Sequence, residues 1–317
     1  MFSTAFMLSA AQLARDAAAW REPLAIIDLA REPADVPHIR LPSCPVIGVG
    51  ERGHPLAARL DTVIEPHFDG SAIEAAVLRQ PLAAATVTQL LRLLPALPAE
   101  QGLTAESLAY AALQGSEAHR SWIMAQSHRE ALPEGRIALT RQGGLLQVTL
   151  DRPEAGNAID RSMRDGLQEA FALANADSSL ARIVLRANGK AFSLGAELSE
   201  FGTTTDPAAA HWIRCQTLPA REAVRCADRL EVHVDGACAG AGLELAAFAR
   251  RVIATRRSWF QLPELVMGIL PGAGGCVSLT RRIGRQRTLL MILSGRRISA
   301  RLALDWGLVD ALVDKLP

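Results

Sequence analysis

Residues 234–251 read VDGACAGAGLELAAFARR, in which glycines and small alanines lead into a run that contains a single glutamate. The pattern predicts a strand that turns into a helix, because β-type residues precede the glycines and helix-forming residues follow them. Glycine lets a backbone approach a ligand closely. Near the helix start, the N–H of Ala241 would carry donor strength and positive dipole character. The strand and helix together indicate an α/β protein. The spacing matches neither the GxGxxG nor the P-loop pattern, so we expect the turn to contact a ligand other than a dinucleotide or a nucleotide phosphate.

Two glutamates stand out in this part of the chain. Glu244 falls in the first turn of the expected helix, and its leucine and alanine neighbours indicate that it is buried. Burial of a carboxylate costs free energy, which suggests that Glu244 has a functional role. The plain alternative is a favourable charge at a helix N-terminus. Glu264 lies in QLPELVMGILPGAGG (261–275), flanked by Pro263 and leucines that would raise its pKa and suit proton delivery. Its plain alternative is a solvated loop residue.

A third segment, KAFSLGAELSEF (190–201), has the same character. Taken alone, it is best explained as an ordinary connection between a strand and a helix. As part of a site, it would direct the N–H of Ala196, just after Gly195, at a carbonyl oxygen. Two such amides, at Ala196 and Ala241, would bind a developing oxyanion. Carboxylates beside such amides predict proton transfer on an activated carbonyl compound.

The overall composition bounds the class of protein. The 317 residues suggest two units, and 34 basic against 33 acidic residues leave a net charge of +1, which does not favour nucleic acid or membranes as partners. No apolar run reaches the ~18 residues of a membrane span. Five cysteines, without a CxxC pair, predict neither a disulfide framework nor a metal site. A reducing, cytoplasmic location is therefore expected.

The chain divides into residues 1–130 and 136–317, joined by a linker at 131–135. The first part opens with a predicted helix (8–20), and a helical pattern later covers 72–130. Between them lie three predicted strands, at 23–30, 44–50 and 60–66.

The second part begins with a strand pair turned at Gly143-Gly144. Helices are predicted at 160–175 and 242–251, and strands at 181–189, 231–234 and 252–255. Strands that alternate with helices indicate an α/β unit.

Together the motifs resemble the crotonase family, the enoyl-CoA hydratase/isomerase proteins. The similarity covers about 136–314 in consistent order and adds two stretches to those above: DRPEAGNAID (151–160) and SGRRISARLALDWGLVD (294–310). It implies a spiral of ββα turns whose backbone binds an acyl-CoA thioester. It also implies a homo-oligomer, trimer or hexamer, with CoA as part of the substrate and no separate cofactor or metal.

The resemblance assigns roles to particular residues. Ala196 and Ala241 match the family's oxyanion hole, and Glu244 and Glu264 match the two glutamates of its hydratases. By analogy, Glu244 would deprotonate water at C3 of a trans-2-enoyl-CoA while Glu264 delivers a proton to C2. The implied substrate-binding residues are Ala196, Glu197, Leu198, Gly240 and Ala241, of which Ala196, Glu197 and Leu198 would follow the CoA path. Glu197 replaces the family's usual aspartate, and Ala241 replaces a glycine.

A larger departure concerns the helices that usually follow the GLVD region and cover the acyl pocket. Residues 60–92 and 100–125 resemble that tail, displaced to the front of the chain. We therefore predict that residues 1–130 are a degenerate crotonase-like half whose helices cap the second part. An unrelated accessory domain is an equally open explanation.

The preferred interpretation is an enoyl-CoA hydratase. A double-bond isomerase, or another acyl-CoA lyase or hydrolase, is the alternative on the same site, and retention of both glutamates favours hydration. A catalytically silent CoA-binding scaffold is the alternative from another class. The basic run RRIGRQR (281–287) is interpreted first as a solvated helix face, and only secondarily as a contact for CoA phosphates or RNA.

Overall fold

A computed structural model describes residues 2–35, 38–126 and 132–317. The first part of the chain contains a parallel sheet with strand order β1-β2-β3. Its elements are helix α1 (Ala10–Asp16) and strands β1 (Ala25–Asp28), β2 (Val46–Val49) and β3 (Thr62–Val63). The predicted helix at 8–20 and the three predicted strands are thus confirmed, each shorter than its sequence pattern.

Four helices follow the small sheet: α2 (Gly70–Arg79), α3 (Pro81–Leu93), α4 (Ala99–Gln114) and α5 (Glu117–Met124). Their starts follow from local chemistry. The Asp69 side chain caps α2, Pro81 occupies the first turn of α3, and Ser116 caps α5. The helical pattern predicted for 72–130 is confirmed as far as Met124, where α5 ends. Its last residues, and the first residue of the predicted linker, lie outside the described residues.

The second part is built on a six-stranded sheet with the order β12-β9-β7-β6-β5-β4. Strands β4 and β5 form an antiparallel hairpin, and the remaining neighbours are parallel. The strands of this part are β4 (Arg136–Gln142), β5 (Leu145–Asp151), β6 (Arg182–Ala187), β7 (Leu230–Val234), β8 (Ala237–Ala239), β9 (Arg251–Thr255), β10 (Trp259–Gln261), β11 (Ile298–Ser299) and β12 (Ala311–Val313).

A smaller sheet of order β11-β10-β8 positions the candidate site. Ser193, after β6, extends its edge: the Ser193 N–H donates to the Ala237 carbonyl oxygen at 3.0 Å, and the Ala239 N–H donates to the Ser193 carbonyl at 2.9 Å. Because these backbones are paired, the turn after β6 lies beside the turn after β8.

The helices of the second part are α6 (Arg161–Ala176), α7 (Pro207–Thr217), α8 (Pro219–Arg225), α9 (Gly240–Ala246), α10 (Gly275–Ser294) and α11 (Ala300–Asp305). The helix predicted at 242–251 was placed too late and made too long. It starts at Gly240 and ends at Ala246, because Arg251 already pairs with Glu231 in the sheet. Across the described ranges, no helix is long and apolar enough to cross a membrane.

The prediction that the basic run at 281–287 forms a solvated helix face also needs correction. Arg281 is exposed, but residues 285–287 are half-buried and belong to the contact between the two parts of the chain, so the run is not simply a solvated helix face. The Gln286 side-chain amide donates to the Ala57 carbonyl oxygen at 2.7 Å, the Thr62 hydroxyl donates to the Gln286 carbonyl at 2.8 Å, and Arg287 pairs with Glu65 at 2.9 Å. One hydrophobic core also includes residues of both parts.

Candidate active site

A cavity of about 510 Å³ lies between the helices of the first part and the turns of the second. The first part contributes side chains of α4 and α5, namely Tyr110, Gln114 and His119. The structure brings every sequence-predicted site residue to the wall of this cavity: Ala196, Glu197, Leu198, Gly240, Ala241, Glu244 and Glu264.

Two neighbouring turns, which carry Ala196 and Ala241, line this space. Gly195 has φ +104° and Gly240 has φ +46°, conformations that an L side chain rarely adopts. A Cβ built on Gly195 would lie 3.5 Å from the Gly240 Cα and 3.7 Å from the Ala241 nitrogen. The two turns are therefore in contact.

Neither amide N–H is used within the part of the chain that the structure describes. Ile159 pairs with the residues on either side of Ala196, donating to the Gly195 carbonyl and accepting from the Glu197 N–H. This pairing leaves the Ala196 N–H without an acceptor. Ala241 lies in the first turn of α9, where an N–H has no intrahelical partner. Two such donors beside one cavity are suited to an anionic oxygen.

Glu244 is held by backbone donors and is only 2% exposed. Its Oε2 accepts hydrogen bonds from the N–H groups of Ala273 at 2.7 Å and Gly275 at 2.8 Å. Its Oε1 accepts none from the described residues and is left to the cavity. Burial raises the pKa of Glu244 to about 7, although the two N–H donors oppose the shift. This carboxyl can therefore gain or lose a proton near neutral pH.

Glu264 has a different environment. It begins a short 3-10 helix (Glu264–Met267) and is 7% exposed. Its buried Oε2 has no hydrogen-bond partner in the described ranges, and its Oε1 would lie 2.9 Å from a Cβ built on Gly240. Burial, with the nearby Glu244 charge, raises the pKa of Glu264 well above its usual range. Its protonated form is therefore favoured.

Glu197 and Leu198 lie at the edge of the cavity. The Glu197 carboxylate accepts hydrogen bonds from the Ser199 N–H at 3.1 Å and from the buried Arg152 guanidinium at 2.7 Å. These contacts stabilise the turn that carries Ala196. A contact of Glu197 or Leu198 with CoA stays a prediction.

Glu106, on α4, was not predicted to belong to the site. It is 1% exposed and reaches the turn that holds Glu244: its Oε1 accepts from the Gly274 N–H at 2.7 Å, and its Oε2 accepts from the Val277 N–H at 3.2 Å. Burial, with the neighbouring Glu244, raises its pKa. The available signal was its helical spacing from the apolar Leu103 and Tyr110, which places a carboxylate on the buried face.

Side chains of α4 and α5 pack closely over the cavity. The Tyr110 ring lies under the Arg214 guanidinium, 4.5 Å from it, and fills the space beside Gly272. His119 Nδ1 lies 2.8 Å from the carbonyl oxygen of Met267, the last residue of the 3-10 helix that Glu264 begins. In the ranges that the structure covers, no cluster of three or more His, Cys, Asp or Glu side chains is arranged to hold a metal ion.

Comparisons with known proteins agree with this geometry. Residues 140–315 match the family model described as "Enoyl-CoA hydratase/isomerase". The 2,3-dehydroadipyl-CoA hydratase of Escherichia coli K12 is 34% identical over 180 residues, which cover 55% of this chain and 68% of that protein. The mitochondrial enoyl-CoA hydratase of Pongo abelii is 33% identical over 175 residues, which cover 53% of this chain and 57% of that protein.

Solved structures show the same fold for the second part. The putative enoyl-CoA hydratase/isomerase of Mycobacterium abscessus aligns with a TM-score of 0.53 and 34% identity, over 56% of this chain and 71% of that one. The enoyl-CoA hydratase of Thermoplasma volcanium aligns with a TM-score of 0.51 and 33% identity, over 56% and 72%. Such matches leave most of residues 1–130 without a counterpart. The family model spans more than half of the chain, and this protein therefore belongs to the enoyl-CoA hydratase/isomerase (crotonase) family.

Proposed function

We propose that this protein is an enoyl-CoA hydratase that adds water across the 2,3-double bond of a trans-2-enoyl-CoA thioester. One observation carries the proposal. Two buried glutamates and two turns with unused backbone N–H groups line a single cavity. Two amides bind Oε2 of Glu244, whereas Oε2 of Glu264 has no hydrogen-bond partner among the described residues. The names of several relatives, among them hydratases of enoyl-CoA substrates, support the same reaction.

The amides of Ala196 and Ala241 would bind the thioester oxygen. As water attacks C3, negative charge moves through the conjugated system to this oxygen, and the two N–H donors stabilise it in a site shielded from solvent. Removing one donor of this kind typically costs about 3 kcal/mol of transition-state stabilisation.

Glu244 would act as the general base. Its Oε2 is occupied by the Ala273 and Gly275 amides, so its Oε1 can hold the water and receive the proton as oxygen bonds to C3. Glu264, whose protonated form is favoured by burial, would act as the general acid and deliver its proton to C2. Water supplies the hydroxyl group and the net proton, so the reaction balances without a cofactor.

Helices α4 and α5 would serve as the cover of this pocket. Tyr110, Gln114 and His119 extend from them into the cavity wall, which supports a capping role for the helical part of residues 1–130. A cover matters because water in the site would weaken each electrostatic interaction there. A crotonase-like ancestry for residues 1–130 and assembly into a trimer or hexamer stay predictions.

The test is the loss of crotonyl-CoA absorbance with the purified full-length chain. We expect turnover by the wild type, its loss in Glu264→Gln, and its retention in Glu65→Gln. Glu65 is a suitable control because it is a buried carboxylate of the first part of the chain that does not line the cavity. Binding of CoA thioesters without turnover would replace hydration by the scaffold function. Absence of any acyl-CoA binding would refute the oxyanion site.

A further inference from the structure

Glu106 lies outside the segment matched by the family model and does not line the cavity, but its carboxylate binds the turn that also holds Glu244. Helix α4 carries it into the second part, where it is buried beside Glu244. Its contacts there are to backbone: the hydrogen bond to the Gly274 N–H joins residues 168 positions apart.

The two carboxylates bind interleaved amides of one turn. Glu244 accepts from Ala273 and Gly275, and Glu106 accepts from Gly274 and Val277. These are donors at the start of α10, which an isolated helix leaves without partners. Movement of Glu106 would therefore displace the donors that orient Glu244.

Within the described ranges, neither Glu106 nor Glu244 has a counter-ion of its own. Arg214, on α7, is the nearby cation, but its guanidinium donates to the Ser107 hydroxyl and to the Gln114 side chain, both at 3.1 Å. Among the described residues, Glu106 and Glu244 have no ion pair with an arginine, lysine or histidine within 4.0 Å. Among the described residues, the Glu264 carboxyl and the Cys276 thiol also lie near Glu106, and Tyr110 follows it by one helical turn on α4.

Two buried carboxylates that share one turn without a cation cannot both be ionised at low cost. We propose that Glu106 is a positioning residue for the base of the reaction: it holds the 273–277 turn from the side of α4 and shares one proton with Glu244. The inference rests on the proposed hydratase function. It makes α4 part of the catalytic arrangement, since the helix sets both the orientation and the proton of Glu244.

The kinetic test compares Glu106→Gln with wild type and with Glu65→Gln. Glu65 makes a good control because its carboxylate also joins the two parts of the chain, through Arg287 and Trp306. In Glu106→Gln, kcat should fall about tenfold to hundredfold with little change in KM, because the water is misplaced rather than the CoA. The acid limb of the pH–kcat profile should move to lower pH by about one unit, because Glu244 then titrates without a competing carboxyl.

A second readout needs no turnover. Infrared difference spectra across the same pH range report the carbonyl stretch of buried protonated carboxyls. The spectra of Glu106→Gln should lack one titrating carbonyl band, and the band of Glu244 should titrate with a midpoint at lower pH than in wild type. The spectra of Glu106→Asp should keep two bands whose titrations are coupled. Glu106→Asp also serves as the test if the glutamine variant does not fold.

Two results would overturn the proposal: a kcat loss no larger than that of Glu65→Gln, or an unshifted pH profile with unshifted infrared bands. If the wild type hydrates no enoyl-CoA, the proposed function fails, and the infrared titration still decides whether Glu106 and Glu244 share a proton.

Discussion

Replacing Gly195 with alanine tests the oxyanion site directly, because this residue sets the direction of the Ala196 N–H. Its φ of +104° lies in a region that L residues avoid. A Cβ there would make ordinary contacts, at 3.4 Å from the Ala239 carbonyl oxygen and 3.7 Å from the Ala241 nitrogen. The alanine therefore fits sterically but is strained by about 1–3 kcal/mol, and relaxation of that strain rotates the peptide that carries the Ala196 N–H.

The expected consequence is the loss of one oxyanion donor. Such a loss costs about 3 kcal/mol in the transition state, so kcat/KM for crotonyl-CoA should fall by roughly two orders of magnitude. Binding of the unreactive butyryl-CoA, measured by calorimetry, should weaken far less, because the ground-state carbonyl carries little charge.

Gly307→Ala is the matched control. Gly307 has φ +78° and nothing within 4 Å of its built Cβ, so it imposes comparable backbone strain away from the cavity. The control should lose stability but keep its activity. If Gly195→Ala retains kcat/KM within about threefold of wild type, or if Gly307→Ala loses as much activity, the two amides do not form the oxyanion site.

Further predictions concern the two glutamates and the first part of the chain. Glu264→Gln should lower kcat by about 10²–10⁴-fold with near-normal butyryl-CoA binding, since it removes a proton donor without changing charge; an active variant would assign the proton transfer elsewhere. In wild type, kcat/KM should fall about tenfold per pH unit below pH 7, because the pKa of Glu244 is raised to about 7 and the base must be ionised; a flat acid limb would contradict this. Because the raised pKa favours protonated Glu244 in the folded state, the Glu244 contribution to the free energy of unfolding should drop by roughly 2–3 kcal/mol from about pH 5 to about pH 8, and Glu244→Gln should reduce the pH dependence by that amount in denaturant titrations. Deleting residues 1–131 should leave an insoluble or inactive protein, because the shared core and the cavity wall are lost; a soluble, fully active remnant would refute the cap.

The sequence was informative wherever the signal was local. Glycine turns, apolar neighbours and helix starts are properties of adjacent residues, so the turns at Gly195 and Gly240 and the burial of Glu244 and Glu264 could be predicted. The helix at 242–251 was misplaced because its end depends on strand β9 pairing with β7, a contact that local propensity does not contain.

Contacts between distant parts of the chain were decided by tertiary structure alone. The arginines at 281–287 have the pattern of a solvated face, yet Arg287 meets Glu65, more than 200 positions away. Likewise, the sequence around Glu106 does not indicate that its carboxylate binds the N–H groups of Gly274 and Val277. By itself, the sequence determined which residues can do acid–base chemistry, because that follows from side-chain type and immediate neighbours. Only the folded chain decided which carboxyls are buried near one another, and hence which pKa values are raised, because pKa values depend on burial and on charges brought together by packing.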